Sequence, residues 1–228
     1  MKRYTVKIDK NEALRYLGCR GGQTDGIIDR QLDQTVKLLE DIAVPAYTYR
    51  VFKLERSSRG IELNGTSLIL TGDSAAAFLR ECRSCIMMAV TIGRKVDTEL
   101  HRRQITNMAE AVILDSCASS AVESICNQLQ MDLKTEYAGR GLFLTDRFSP
   151  GYGDLPLELQ PEICRALNAE KTIGLSITGG MLMMPTKSVT AFIGISDRPQ
   201  QVIQSGCGHC RMNRSCNYRK AGATCADY

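Results

Sequence analysis

The sequence predicts an α+β fold. One domain over residues 1–204 carries a twisted, mainly antiparallel sheet flanked by helices, and a short cysteine-rich appendix over 205–228 follows it. Three features point there. Alternating apolar stretches meet at Asn64 and Gly65 within IELNGTSLIL, the signal of a tight antiparallel hairpin. Helical periodicity elsewhere, above all from about Asn107 to Lys134, supplies layers to cover a sheet. Four of the ten cysteines fall between Cys207 and Cys225, which sets the end of the chain apart.

Composition bounds what such a fold can do. A chain of 228 residues, 43% hydrophobic and 24% charged, can bury a substantial core, which excludes disorder and coiled coil. The 29 basic and 25 acidic residues are scattered, so the net charge of +4 gives no general polyanion surface and nucleic acid is not an expected partner. MKRYTVKIDK lacks the apolar core of a secretory signal, and the longest apolar run, near Cys85 to Val90, is too short to cross a bilayer. A soluble, cytoplasmic protein with no membrane partner is expected, and its cysteines read as thiols or ligands.

Taken in order, RYTVKID has the alternation of a strand. A helix follows from about Asp25 to Ile42, with Ile28, Leu32, Val36 and Leu39 on one face and Pro45 enforcing its end. Tyr47, Tyr49 and Val51 alternate into the hairpin. LILTGDSAAAF has a single glycine where a Rossmann loop needs several, so it reads as a strand and a capped helix, the helix running from Ser74 to Arg80. CIMMAVTIG is the next strand. The long helix begins at Asn107, which with Glu110 makes a capping box. Its middle, DSCASSAVES, crowds small residues that let another backbone or a ligand come close, while Asp115, Ser119 and Glu123 share one face. GLFLTD is a further strand. Cys19, Cys117, Cys126 and Cys164 read as small buried residues, and so does the Cys82/Cys85 pair beside its apolar run.

The segment RFSPGYGDLP carries the most chemistry. Pro150 and Gly151 suit the centre of a type II turn, which reverses the chain and exposes backbone N–H groups. Arg147 just before it and Tyr152 just after place a guanidinium that can grip a carboxylate bidentately next to an aromatic ring.

This string, followed by a helix and then LSITGGMLMMPTKSV, resembles the activation domain of cobalamin-dependent methionine synthases. The resemblance runs over residues 86–196, with AVTIGRKVD and the AVES helix in the same order. It carries the Arg-x-x-x-Gly-Tyr motif, and Pro156 and Gln160 extend it as in free-standing forms of the family. It implies a reactivation subunit that binds S-adenosylmethionine and supports reductive methylation of cob(II)alamin on a methionine synthase lacking its own activation domain. Such a subunit is an accessory enzyme component acting in trans on the cobalamin-binding module of the synthase, with flavodoxin or ferredoxin as electron donor. Residue by residue, Arg147 is implied to meet the ligand carboxylate and Glu123 its ammonium. Ser149, Gly151 and Tyr152 are implied to give the turn's contacts, with the Tyr152 ring close to cobalamin. No residue is implied to be catalytic, because the reduced metal is itself the nucleophile. Two departures stand out. Ile193 and Gly194 replace an aromatic pair of the long synthases, and the acid those synthases contribute near the N-terminus has no clear counterpart, leaving Asp115 as a substitute.

In the appendix, Cys207, Cys210, Cys216 and Cys225 have the spacing of a four-thiolate site, with His209 facing outward. Spacing leaves zinc and an iron–sulfur cluster both open. A cluster would suit relay of the electron that reactivation consumes, whereas Arg211, Arg214, Arg219 and Lys220 suit a small zinc knuckle. Two other functions compete with the leading one. The first is a reductive activator of another corrinoid methyltransferase protein, although the chain has no P-loop. The second is a non-enzymatic partner-binding module with a zinc tail.

Overall fold

A computed structural model describes residues 2–19 and 26–199. The appendix over 205–228 and its four cysteines lie outside the described residues.

The architecture is organised around β4 (Ser84–Thr91). Side chains alternate across a pleated strand. Ile86, Met88 and Val90 therefore enter one core, and Cys85, Met87 and Ala89 the other. Burial on both faces explains the unbroken apolar run of this strand. The six-stranded sheet has the order β3 (Ile69–Leu70), β2 (Gly60–Leu63), β1 (Ala46–Ser57), β4, β8 (Ser188–Ser196), β5 (Phe143–Leu144). Every neighbouring pair is antiparallel, as the sequence predicts. In the hairpin joining β2 to β3 only Gly65 takes a positive φ, 81°; Asn64 does not, so one of the two expected positive angles is absent.

The first core lies between the sheet and α1 (Lys10–Tyr16), α2 (Gly26–Ile42), α4 (Arg94–Thr106) and α5 (Met108–Ala138). The second core is covered by α3 (Asp73–Phe78), α6 (Gln160–Leu167) and α7 (Ala169–Ile173), with a small separate ribbon of β6 (Ser176–Ile177) and β7 (Met183–Met184). The predicted capping box forms at the head of α5. The Asn107 side chain accepts from the Glu110 amide at 3.3 Å and donates to the Glu110 carboxylate at 3.0 Å.

Three elements differ from the sequence reading. RYTVKID is not a strand: residues 2–9 join no sheet and lie along α5 instead. The amides of Lys7 and Asp9 donate to Ser124 Oγ and Ser120 Oγ, each at 3.2 Å, and the Gln128 side chain donates to the Thr5 carbonyl at 2.9 Å. The alternation is genuine, since Tyr4, Val6 and Ile8 pack on the first core. Its neighbour is a helix whose small residues admit a backbone and whose hydroxyls replace the missing ladder. Helix α4 buries only Val96 and Leu100, too little apolar signal to be legible as a period. Finally, α3 has no side-chain cap from its own flank, where Gly72 precedes it; the cap comes from elsewhere in the chain.

Candidate functional site

The loop that carries the predicted site leaves β5 and is pinned at once. Phe148 and Phe192 exchange backbone hydrogen bonds, both 2.9 Å, beside the β8 edge. The turn then takes its predicted shape: the Tyr152 amide donates to the Ser149 carbonyl at 3.2 Å, and Gly151 has φ 89°. The Gly151 amide donates to the Leu155 carbonyl at 2.8 Å and the Leu155 amide to the Tyr152 carbonyl at 3.1 Å, closing a compact loop. The amides of Gly151 and Tyr152 are thus engaged within the loop, where the sequence reading has the turn exposing N–H groups. Pro150 and Leu155 point inward, and Tyr152 stands out at 68% exposure.

Arg147 enters this loop from the side of α5. Its Nη2 donates to Glu123 Oε2 at 2.8 Å and to Asn127 Oδ1 at 2.9 Å, and its Nη1 donates to Gln130 Oε1 at 2.8 Å. Spacings of four and three residues put these acceptors on one face of the helix. The structure therefore brings Arg147 and Glu123 into a direct ion pair, with side-chain exposures of 16% and 32%. The family resemblance implies instead that each meets a different group of one ligand, Arg147 the carboxylate and Glu123 the ammonium. Asn127 and Gln130 are additions that sequence reasoning missed; their helical spacing from Glu123 was the available signal.

The rest of the polar stripe is also used. Lys187 Nζ meets Asp115 Oδ1 at 2.7 Å and donates to Ser119 Oγ at 3.0 Å. Next to it, Asp97 accepts from the Thr186 amide at 2.8 Å and the Thr186 hydroxyl at 2.6 Å, tying α4 to the loop before β8. Asp115 thus has a cation of its own. An acid from the N-terminal part reaches the same stretch of α5: Glu12 on α1 accepts from Ser120 Oγ at 3.3 Å, one helical turn before Glu123, and from the Tyr16 hydroxyl at 3.3 Å. Burial, with the charges of Glu12 and Glu123 behind it, pushes the Tyr16 phenol up to about 12.

Ile193 and Gly194 belong to the packing of β8. Ile193 is fully buried in the first core, and a Cβ on Gly194 would lie 2.5 Å from Cys82 Sγ. Both members of the Cys82/Cys85 pair are buried free thiols, as are Cys117, Cys126 and Cys164, while Cys19 is partly exposed. Among the described residues no group of three or more His, Cys, Asp or Glu side chains could hold a metal ion. Among them, too, no helix is long and apolar enough to cross a membrane.

The chain is an α+β protein in which a loop-borne arginine is wired to the face of a long helix. No protein-family model and no curated protein sequence matches it. Among solved structures, the crystal structure of the MetH reactivation domain bound to AdoHcy is similar, with a TM-score of 0.64 at 14% sequence identity, covering 96% of this chain and 83% of that one. At that identity the likeness is one of fold, and it extends over nearly the whole chain.

Proposed function

We propose that this protein binds S-adenosylmethionine and acts as the reactivation subunit of a cobalamin-dependent methionine synthase that lacks its own activation domain. The observation that carries the reading is the Arg147 cluster set directly before the Ser149–Tyr152 turn, in a chain with the fold of the AdoHcy-bound reactivation domain.

The cluster fits a zwitterionic amino acid. The ligand carboxylate takes the place of Glu123 on the Arg147 guanidinium, where a bidentate charge-assisted pair is available. Glu123, released, receives the ligand ammonium, with Glu12 nearby as a second acid. One internal ion pair is thereby exchanged for two pairs to the ligand, so Arg147, Glu123 and both charges of the ligand's amino-acid end stay paired, while the sulfonium lies beyond them. Ser149 and Gly151 shape the turn beside the ligand. The exposed ring of Tyr152 offers an apolar face to the cobalamin carried by a partner. Reduced cobalamin supplies the nucleophile that accepts the methyl group, so this chain has to bind and orient the donor and move no proton. The electron comes from a flavodoxin or ferredoxin. Cys207, Cys210, Cys216 and Cys225 have the sequence spacing of a four-thiolate centre, zinc or iron–sulfur, and an iron–sulfur cluster held by them would relay that electron.

The decisive experiment mixes the protein with a methionine synthase truncated of its activation domain, held as cob(II)alamin, together with S-adenosylmethionine and a low-potential reductant. Methylcobalamin, followed by its absorption, should form only when this protein is present. A parallel reaction with another corrinoid methyltransferase protein locates the partner; methylation there and not on the synthase reassigns it. Arg147→Ala should weaken S-adenosylmethionine binding by roughly 1.5–3 kcal/mol, the worth of a charge-assisted pair, as read by calorimetry. Unchanged affinity removes Arg147 from the site. Metal analysis after anaerobic purification tests the tail, and zinc without iron ends its role as a relay.

A further inference from the structure

We propose that Asp154 is a positioning residue for the Ser149–Tyr152 turn, holding the turn in its binding shape by capping α3 from across the chain. The inference rests on the reading of that turn as part of the S-adenosylmethionine site.

Helix α3 begins after Gly72 with no side-chain cap of its own. Its opening amides nonetheless have an acceptor. Asp154 Oδ2 accepts from the Asp73 amide at 2.7 Å, and Asp154 Oδ1 from the Ser74 amide at 3.1 Å, across 81 and 80 residues of sequence. The first amides of a helix lack intrahelical partners, which is what a capping carboxylate satisfies. Two glycines make the approach possible. A Cβ on Gly72 would lie 2.6 Å from the Asp154 carboxyl carbon, and one on Gly153 would lie 2.5 Å from Ser74 Oγ. Both glycines have positive φ, 98° and 56°, which favours glycine at each position independently of the close contact. Partial desolvation works to raise the Asp154 carboxyl, yet the amides of Ser74 and Asp73 hold it below the usual carboxylate range.

Asp154 is one residue before Leu155, whose carbonyl and amide close the loop on Gly151 and Tyr152. Fixing Asp154 therefore fixes the closure. At the loop's other end the ring of Phe148 packs on Phe78 of α3, centroids 5.0 Å apart. Helix α3 thus holds the loop at two points, one apolar and one electrostatic, with Tyr152 projecting between them.

The test compares Asp154→Ala with Asp154→Asn in the full chain. Asparagine caps a helix about as well as aspartate, whereas alanine does not. Asp154→Ala should weaken S-adenosylmethionine binding roughly fivefold and speed hydrogen exchange at the Gly151 amide, while Asp154→Asn stays within about twofold of the wild type on both. Asp154→Ser, expected between the two, serves if the alanine variant does not fold. Leu39→Ala, in α2 on the other side of the sheet, is the control. It should lower Tm at least as much and leave affinity alone. Wild-type affinity in Asp154→Ala, or an equal loss of affinity in the control, overturns the proposal. If the wild type binds no S-adenosylmethionine, the site reading fails by itself. Gly151 exchange then still decides whether Asp154 orders the turn, and an unchanged rate overturns that too.

Discussion

Arg147 shares its guanidinium among one charged and two neutral acceptors, and this division sets what each substitution should do. Glu123→Gln keeps a hydrogen-bonding group beside Arg147. Chemical denaturation should therefore register less than about 1 kcal/mol of lost stability, as for partly exposed pairs. S-adenosylmethionine affinity should fall about tenfold, because the ligand ammonium loses its anion. The thiols give a second expectation. Burial pushes Cys85 and Cys126 up to about 12, and Cys82, Cys117 and Cys164 up to about 11. Thiolate is the reactive form, so these five should resist alkylation in the native protein at mildly alkaline pH, while Cys19 reacts. Peptide mass spectrometry after native labelling reads this directly. Arg147 and Glu123 could be singled out in the sequence because a motif marks them. Their mutual contact could not, since a loop and a helix 24 residues apart meet only through tertiary packing. Asp154 was invisible for the same reason.

At the scale of elements, strong periodicity was readable and weak periodicity was not. Helices α2 and α5 and the β2–β3 hairpin carry long apolar faces or turn chemistry, and each occurs where the sequence places it. The alternation in residues 4–8 told which side chains face inward, yet period two cannot tell whether the neighbour is a strand or a helix. The cap on α5 is local and therefore predictable. Asn107→Ala should cost about 1 kcal/mol in denaturant unfolding. The close approach along α5 is tested by Ser120→Leu. Ser120 is fully buried beneath Asp9, so the larger side chain has no room. Its expected cost is about 1–3 kcal/mol, with faster hydrogen exchange confined first to residues 7 and 9.

Over the whole molecule, two cores share one sheet, and each combines segments far apart in sequence, the first joining residues 4–47 to 86–144 and 189–195, the second joining 52–89 to 148–192. Strand order was not derivable from the sequence, because β1, β4 and β8 become neighbours only through register set by packing. The ion pairs that Glu99 makes within α4, with Arg102 and Arg103, should show in the acid response. Hydrogen bonds from Arg102 first, working against partial desolvation, and then from Arg103 hold the Glu99 carboxyl down to about 2. A depressed carboxylate stabilises the fold above its ordinary value near 4.5 and loses that contribution as pH falls toward about 2. Glu99→Gln should be less stable than the wild type near neutrality, with the gap closing over that interval when unfolding is followed by circular dichroism.

The backbone of residues 4–9 meets hydroxyls and amides more than a hundred positions further along, Asp9 at Ser120 and Thr5 at Gln128. During synthesis that stretch leaves the ribosome well before its receiving helix exists, so it must wait in the open until α5 has emerged and coiled. Loop closure of that span is also slow relative to local coiling. A segment made more than a hundred residues before its receiving helix is therefore among the last to settle, and packing along α5 is completed late.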